Sequence, residues 1–107
     1  MHKMTEQNMI DAFGGESQAH MRYLHFAVQA EKENFPNVAR LFKAVSYAEY
    51  IHAGNHYSQL KHLDEPRVAN SMAAFGPGDT IKNLKHGIEG ESFEIEEMYP
   101  VYLNTAL

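Results

Sequence analysis

The sequence predicts an all-α protein, three long helices packed side by side as a bundle, and three observations carry that prediction. Apolar residues recur at three- and four-residue intervals through most of the chain. Runs rich in β-branched and aromatic residues and bounded by turn signals are absent. Punctuation separates the periodic segments at "NFPN", 34–37, and at the Pro- and Gly-containing stretch 64–79. The first helix is placed at 5–34, with Thr5 as its N-cap and Met9, Ile10, Phe13, Tyr23, Leu24, Ala27 and Ala30 on one face. The second is placed at 36–63, opened by Pro36 in its first turn, with Val38, Leu41, Phe42, Val45, Ala48 and Leu60 on its stripe. "DEPRVANSMAAFGPGD" at 64–79 reads as a linker. The third helix is placed at 80–107 along Ile81, Leu84, Ile88, Ile95, Met98 and Tyr102. Helices of this length run roughly 40 Å at ~1.5 Å per residue, so they can bury their stripes only by lying alongside one another.

Composition bounds what such a bundle can do. With 107 residues, 44% of them hydrophobic, the chain builds one modest core, and 1–107 is read as a single domain. The absence of cysteine excludes disulfides, thiolate-held metals and a thiol nucleophile, and it fits a reducing cytoplasm. No apolar h-region follows the basic residues of the first fifteen positions, and no stretch approaches the ~20 apolar residues of a bilayer span. A formal charge of −5 argues against nucleic acid, whose phosphates need a basic face. Fourteen acidic residues turn the question to cations.

The informative residues interrupt the apolar stripes. Glu16 falls between Phe13 and Tyr23; Glu49, His52 and His56 continue the line of Leu41, Val45 and Ala48; Glu91 sits between Ile88 and Ile95, with Glu94 one turn on. The segments 5–17 and 80–92 also share Thr5/Thr80, Asn8/Asn83, Gly15/Gly90, Glu16/Glu91 and Ser17/Ser92. Each helix therefore turns a carboxylate toward the interior. Burying one ionised carboxylate costs several kcal/mol, and clustered ones repel. Arg22, Arg40, Lys43, Lys82 and Lys85 mostly fall off the acidic stripes, so a multivalent metal is the better neutraliser. Glu49-x-x-His52 places an oxygen and a nitrogen ligand on one helix face, a donor mixture suited to iron or manganese. Glu96 and Glu97 read as a solvated face. His20, one turn after Glu16, reads as a neutral partner rather than a ligand. His56 is open between an accessory group and an ordinary exposed histidine.

At these residues the chain resembles the rubrerythrin family of ferritin-like di-iron carboxylate proteins. "AFGGESQAHMRY", "NVARLFKAVSYAEYIHA" and "GIEGESFEIEEMYP" are similar to that family's first, second and third helices. The resemblance implies a ferritin-like four-helix bundle around a di-iron centre. It implies Glu16, Glu49, His52, Glu91 and Glu94 as metal ligands, with Glu49 bridging. It further implies that the position of Glu94 exchanges with that of His52 as iron changes oxidation state, and that Tyr23 and Tyr99 hydrogen-bond to the ligating carboxylates. Gly15 and Gly90 would let neighbouring helices or a ligand approach closely.

The implied activity is reduction of hydrogen peroxide, or of dioxygen, to water. Glu94, His52, Tyr23 and Tyr99 would serve the reaction, and electrons would come from an external rubredoxin-like donor. Manganese or zinc are candidate substitutes for iron, and a ferritin-like metal-binding protein without turnover is the alternative. The family pattern needs a second Glu-x-x-His on a fourth helix, which these residues do not contain. Three resolutions are open: a fragment of a protein of roughly 140 residues, counting one more helix and its turn; a homodimer or larger homo-oligomer, with helix exchange through 64–79, in which two copies complete one another; or a chain that binds one metal or none. An oligomer is the expectation.

Overall fold

The computed structural model describes residues 2–73 and 75–93, with side chains through Glu89. Among the described residues there are three helices and no strand: α1 (Lys3–Lys32), α2 (Pro36–Ser58) and α3 (Thr80–Phe93). None of these helices is long and apolar enough to cross a membrane.

The boundaries follow from how each helix end satisfies its backbone. α1 begins two residues ahead of the expected start, because His2, not Thr5, caps it. His2 holds an extended backbone, and its Nδ1 accepts from Met4 N at 3.1 Å. At the other end Asn34 adopts a left-handed conformation (φ 64°), Phe35 N donates to Ala30 O at 2.8 Å, and Asn34 N donates to Glu31 O at 3.1 Å. Those two bonds reverse the chain at "NFPN" as a six-to-one, five-to-two cap, and Pro36 opens α2 where its missing N–H costs nothing. α2 ends at Ser58 rather than 63. Leu60 N to Tyr57 O and Leu63 N to Leu60 O, both 3.0 Å, are short-span turns, so buried Leu60 belongs to a turn rather than to the helical stripe.

α1 and α2 pack antiparallel through small residues and an aromatic trio. Ala19, Ala27 and Ala30 of α1 and Ala39 of α2 are buried, which lets the two backbones come close. Tyr23 stacks on Phe42 (centroids 6.0 Å) and meets Phe26 edge-on (5.9 Å), while Phe26 meets Phe42 edge-on (5.4 Å). Such pairs contribute about 0.5–1.5 kcal/mol beyond area burial. Val38, Val45 and Leu84 close the cluster. Leu41, expected on the buried stripe, is exposed; Ala39, Phe42, Ser46 and Glu49 occupy the face toward α1 instead.

The segment read as a linker lies along its own α1 from one end to the other. His62 Nε2 and Arg67 Nη1 each donate to Glu6 at 2.9 Å, Gln7 Nε2 donates to Val68 O at 3.0 Å, and Asn70 N donates to Asp11 Oδ1 at 2.9 Å. Ala69 then passes over Gly14, where an added Cβ would stand 2.8 Å from the Ala69 Cβ; at Gly15 the nearest atom, Ser71 Cβ, is 3.6 Å away. The close approach expected at Gly15 is therefore made chiefly at its neighbour. Gly76, at φ 68°, brings the chain against Phe26. This long crossover carries the chain back to the start of α2, so α3 runs parallel to α2 and antiparallel to α1.

α3 is set by polar groups. The Glu33 carboxylate accepts from Thr80 N at 2.9 Å and from Thr80 Oγ1 at 3.0 Å. Asn83, fully buried, donates to Gly78 O at 3.1 Å and accepts from Gly78 N at 3.0 Å. The buried face of α3 is thus Thr80, Asn83 and Leu84, whereas Ile81 (63% exposed) and Ile88 (67%) face away. The expected third helix is described to Phe93; Ile95, Glu96, Glu97, Met98 and Tyr102 lie outside the described residues.

Candidate metal centre

The antiparallel α1–α2 pair brings Glu16 to the height of Glu49, His52 and His56. Glu16 sits on the α1 stripe with Ala12, Ala19 and Tyr23, and Glu49 on the α2 stripe with Phe42, Ser46 and Ala53. Both carboxylates are interior, at 3% and 2% exposure. His52 is half-exposed, with Nδ1 3.5 Å from Glu16 Oε2 and 3.9 Å from Glu49 Oε2. One ligand atom from each of Glu16, Glu49 and His52 lies within 4.8 Å of the others.

Those distances fit a shared cation. Two donor atoms each ~2.1 Å from one ion stand about 3 Å apart when adjacent and about 4.2 Å apart when opposite. The His52 spacings of 3.5 and 3.9 Å fall between these limits, and the Glu16 and Glu49 oxygens lie within 4.8 Å of each other. The donor set, two hard oxygens and one imidazole nitrogen, suits iron or manganese. Two buried carboxylates this close are relieved either by a proton or by positive charge between them.

Of the two other histidines singled out on these stripes, His56 and not His20 stands against Glu16. His56 Nδ1 lies 2.5 Å from Glu16 Oε1 and is its hydrogen-bond partner. That bond raises the His56 pKa above an ordinary imidazole, against partial burial, which works the other way. His20 instead ties the helices together. Its Nδ1 lies 2.8 Å from both Ser46 O and Ser46 Oγ, and Ser46 Oγ donates to His20 O at 2.8 Å. The signal for His56 was present in the sequence: positions 49, 52 and 56 form one stripe at i, i+3, i+7.

Tyr23 is buried at the α1–α3 contact, its ring against Gly87, one turn ahead of Glu91. α3 extends through position 91, but the Glu91 side chain lies outside the described residues, as do Gly90's surroundings, Glu94 and Tyr99.

Against known proteins, the sequence model of the family described as Rubrerythrin matches residues 7–107. The chain belongs to the rubrerythrin family. It is 51% identical over 105 residues to Rubrerythrin-2 of Clostridium acetobutylicum, covering 96% of this chain and 56% of that one. It is 33% identical over 102 residues to Nigerythrin of Nitratidesulfovibrio vulgaris, at 95% and 50% coverage, and 33% identical over 105 residues to a rubrerythrin of Clostridium perfringens, at 95% and 54%. The chain spans about half the length of the curated relatives it matches. Its all-helical architecture is that of a rubrerythrin-family bundle.

Proposed function

We propose that this chain forms part of a non-haem di-iron centre that reduces hydrogen peroxide to water in defence against oxidative stress. One observation carries the reading: Glu16, Glu49 and His52, from two helices of a rubrerythrin-family bundle, converge as a compact oxygen–oxygen–nitrogen set, the carboxylates buried and His52 half-exposed at their edge. A bound iron pair would supply two electrons, one from each ferrous ion, to cleave the O–O bond, and two protons complete two waters. Glu16, Glu49 and His52 hold metal, with Glu91 and Glu94 as the proposed ligands from α3 and the residues after it. The aromatic trio around Tyr23 fills the α1–α2 interior about two turns along from Glu16 and Glu49. Tyr23 reaches the face of α3 that leads to Glu91, as expected of a group orienting a carboxylate there, and Tyr99 is assigned the matching role. Glu94 and His52 would be alternative ligands to one iron, and His52 is half-exposed.

These 107 residues contain no cysteine, and the proposed reductant is a one-electron carrier of rubredoxin type. Leu41, Ile81 and Ile88, apolar and exposed, support assembly into a homodimer or larger homo-oligomer, with or without helix exchange, and a cytoplasmic setting fits the absence of cysteine.

The test is anaerobic ferrous loading followed by peroxide in the presence of reduced rubredoxin. Repeated peroxide loss coupled to rubredoxin oxidation supports the enzyme. A single oxidation without turnover assigns the chain to metal storage, with manganese or zinc as competing occupants, and no uptake removes the centre. Glu49→Ala should abolish loading with helicity retained, and Glu96→Ala should leave it intact; equal metal content in the two variants defeats the ligand assignment.

A further inference from the structure

We infer that the outer groove between α1 and α2 is the face on which two copies of this chain pair about a two-fold axis. The inference rests on the proposed homo-oligomer and goes beyond it by naming the face. Phe13, His20 and Met21 of α1 and Tyr50, Ile51 and Tyr57 of α2 line a groove of about 540 Å³. Its described lining residues all belong to these two helices, and none is Lys, Arg, Asp or Glu, in a chain with 21% charged residues. The groove turns away from the candidate metal centre. At ~3.6 residues per turn, Tyr47, Tyr50 and Tyr57 form a stripe roughly 140° round α2 from Glu49, His52 and His56. A fourth helix completing the centre would approach the ligand side, where Leu41 also falls, and would leave this groove bare.

The exposed area is large for so few residues. Tyr47 is 65% exposed, Tyr50 59%, Tyr57 56%, Met21 51% and Ile51 41%. With roughly 150–250 Å² buried by a fully covered aromatic side chain, the exposed parts of the three tyrosines alone come to about 270–450 Å². That is a third to a half of the ~800 Å² each partner gives to a standard interface. The rings are also held in place before any partner arrives. Tyr47 stacks on Tyr50 (centroids 6.1 Å), Tyr50 meets His20 (5.8 Å), and Tyr57 meets Phe13 (5.2 Å). His20 is in turn fixed by Ser46. Little side-chain freedom is left to lose on association. Charge selects the occupant. Two copies at −5 each repel, and they do so least across an uncharged face. A two-fold interface sets one patch against itself, so a charged patch would meet its own sign. This one meets aromatic and aliphatic groups and leaves no charge unpaired.

The full chain, Tyr47→Glu, Tyr50→Glu and a control, Met72→Glu, are compared by sedimentation velocity across the micromolar range, with circular dichroism to verify helicity. Met72 is 93% exposed and lies off the groove. The wild type should sediment as a dimer. Each tyrosine variant should keep its helicity and raise the dissociation constant about 1,000-fold, one loss of about 30-fold from each copy. Met72→Glu should pair as the wild type does. A second measurement needs no variant: isotope-labelled and unlabelled wild-type chains are mixed and photo-oxidised, and dityrosine links between copies are mapped by mass spectrometry. Those links should include Tyr47, Tyr50 or Tyr57, and they decide the question if a glutamate variant loses its helicity. Pairing that persists in both tyrosine variants, or links between copies that omit these three residues, would overturn the face and leave the homo-oligomer standing. A wild type that stays monomeric throughout removes the homo-oligomer and this inference together.

Discussion

Glu49→Gln should make the metal-free protein more stable while removing its response to metal. One oxygen each of Glu16 and Glu49 lie within 4.8 Å of one another, and at an effective dielectric of about 20 their repulsion is at least ~3.5 kcal/mol. His56, hydrogen-bonded to Glu16, offsets part of this. Glutamine keeps the volume and an acceptor oxygen but removes the charge, so a net gain of about 1–3 kcal/mol is expected, within the range seen when buried charges are replaced. For a chain of this length each kcal/mol moves the midpoint by about 4 °C, giving a rise of roughly 4–12 °C. The wild type should respond oppositely to loading: at a free-metal concentration of 100 Kd, binding stabilises the folded state by about 2.7 kcal/mol. Thermal melts tracked by circular dichroism, with chelator and then with ferrous or manganous ion under anaerobic conditions, test both halves. A metal-free Glu49→Gln protein that melts at or below the wild type would refute the claim that the two carboxylates oppose one another. A variant that still gains a normal metal increment would refute the role of Glu49 as a ligand.

The packing sets three further outcomes. Gly14→Ala should gain none of the ~1 kcal/mol that alanine normally confers on a helix, because its Cβ would stand 2.8 Å from that of Ala69, whereas Gly54→Ala, with nothing within 4 Å, should gain it in full; equal gains in urea melts would show that the crossover does not press on α1. Phe26→Ala should cost about 3–5 kcal/mol, since Phe26 packs against Tyr23, Phe42 and Gly76 together, and a loss under 1 kcal/mol by denaturant titration would contradict that packing. Hydrogen bonds from Gln29 first and Thr80 N next hold the Glu33 carboxyl below its ordinary value. A depressed carboxylate stabilises the fold above its unfolded pKa of 4.5, and this contribution is lost as pH falls through the lower folded value. Wild type should therefore exceed Glu33→Gln in stability at pH ~6 and converge with it once the pH falls below the lowered folded value; parallel curves would show that Glu33 does not anchor α3.

Helix type and number were legible because the apolar period is long and the breaks at "NFPN" and 64–79 are chemically forceful. The convergence of Glu16, Glu49 and His52 was legible for a related reason: an interior carboxylate stands out against an apolar stripe. Which histidine serves Glu16 was only half legible, since the stripe of 49, 52 and 56 puts His56 on the right face but leaves His20 in competition. Choosing between His20 and His56 needs the relative height of two antiparallel helices, and periodicity fixes a face without fixing a height. The register of α3 was misread because Asn83 and Thr80, polar by composition, are buried by their bonds to Gly78 and Glu33, which turns Ile81 and Ile88 outward. The docking of 62–71 on α1 depends on partners some sixty positions away and leaves no local pattern.

The crossover has a consequence for the order of assembly. α1 and α2 are joined by a tight reversal and meet through near neighbours along the chain, so their hairpin is expected to form early, even while a ribosome is still adding later residues. α3 can arrive only after a long loop has closed, at an entropic cost that grows slowly with its length. Glu16, Glu49 and His52 all belong to the early hairpin, so a nascent chain would already offer a three-donor half-site to the first ion it meets.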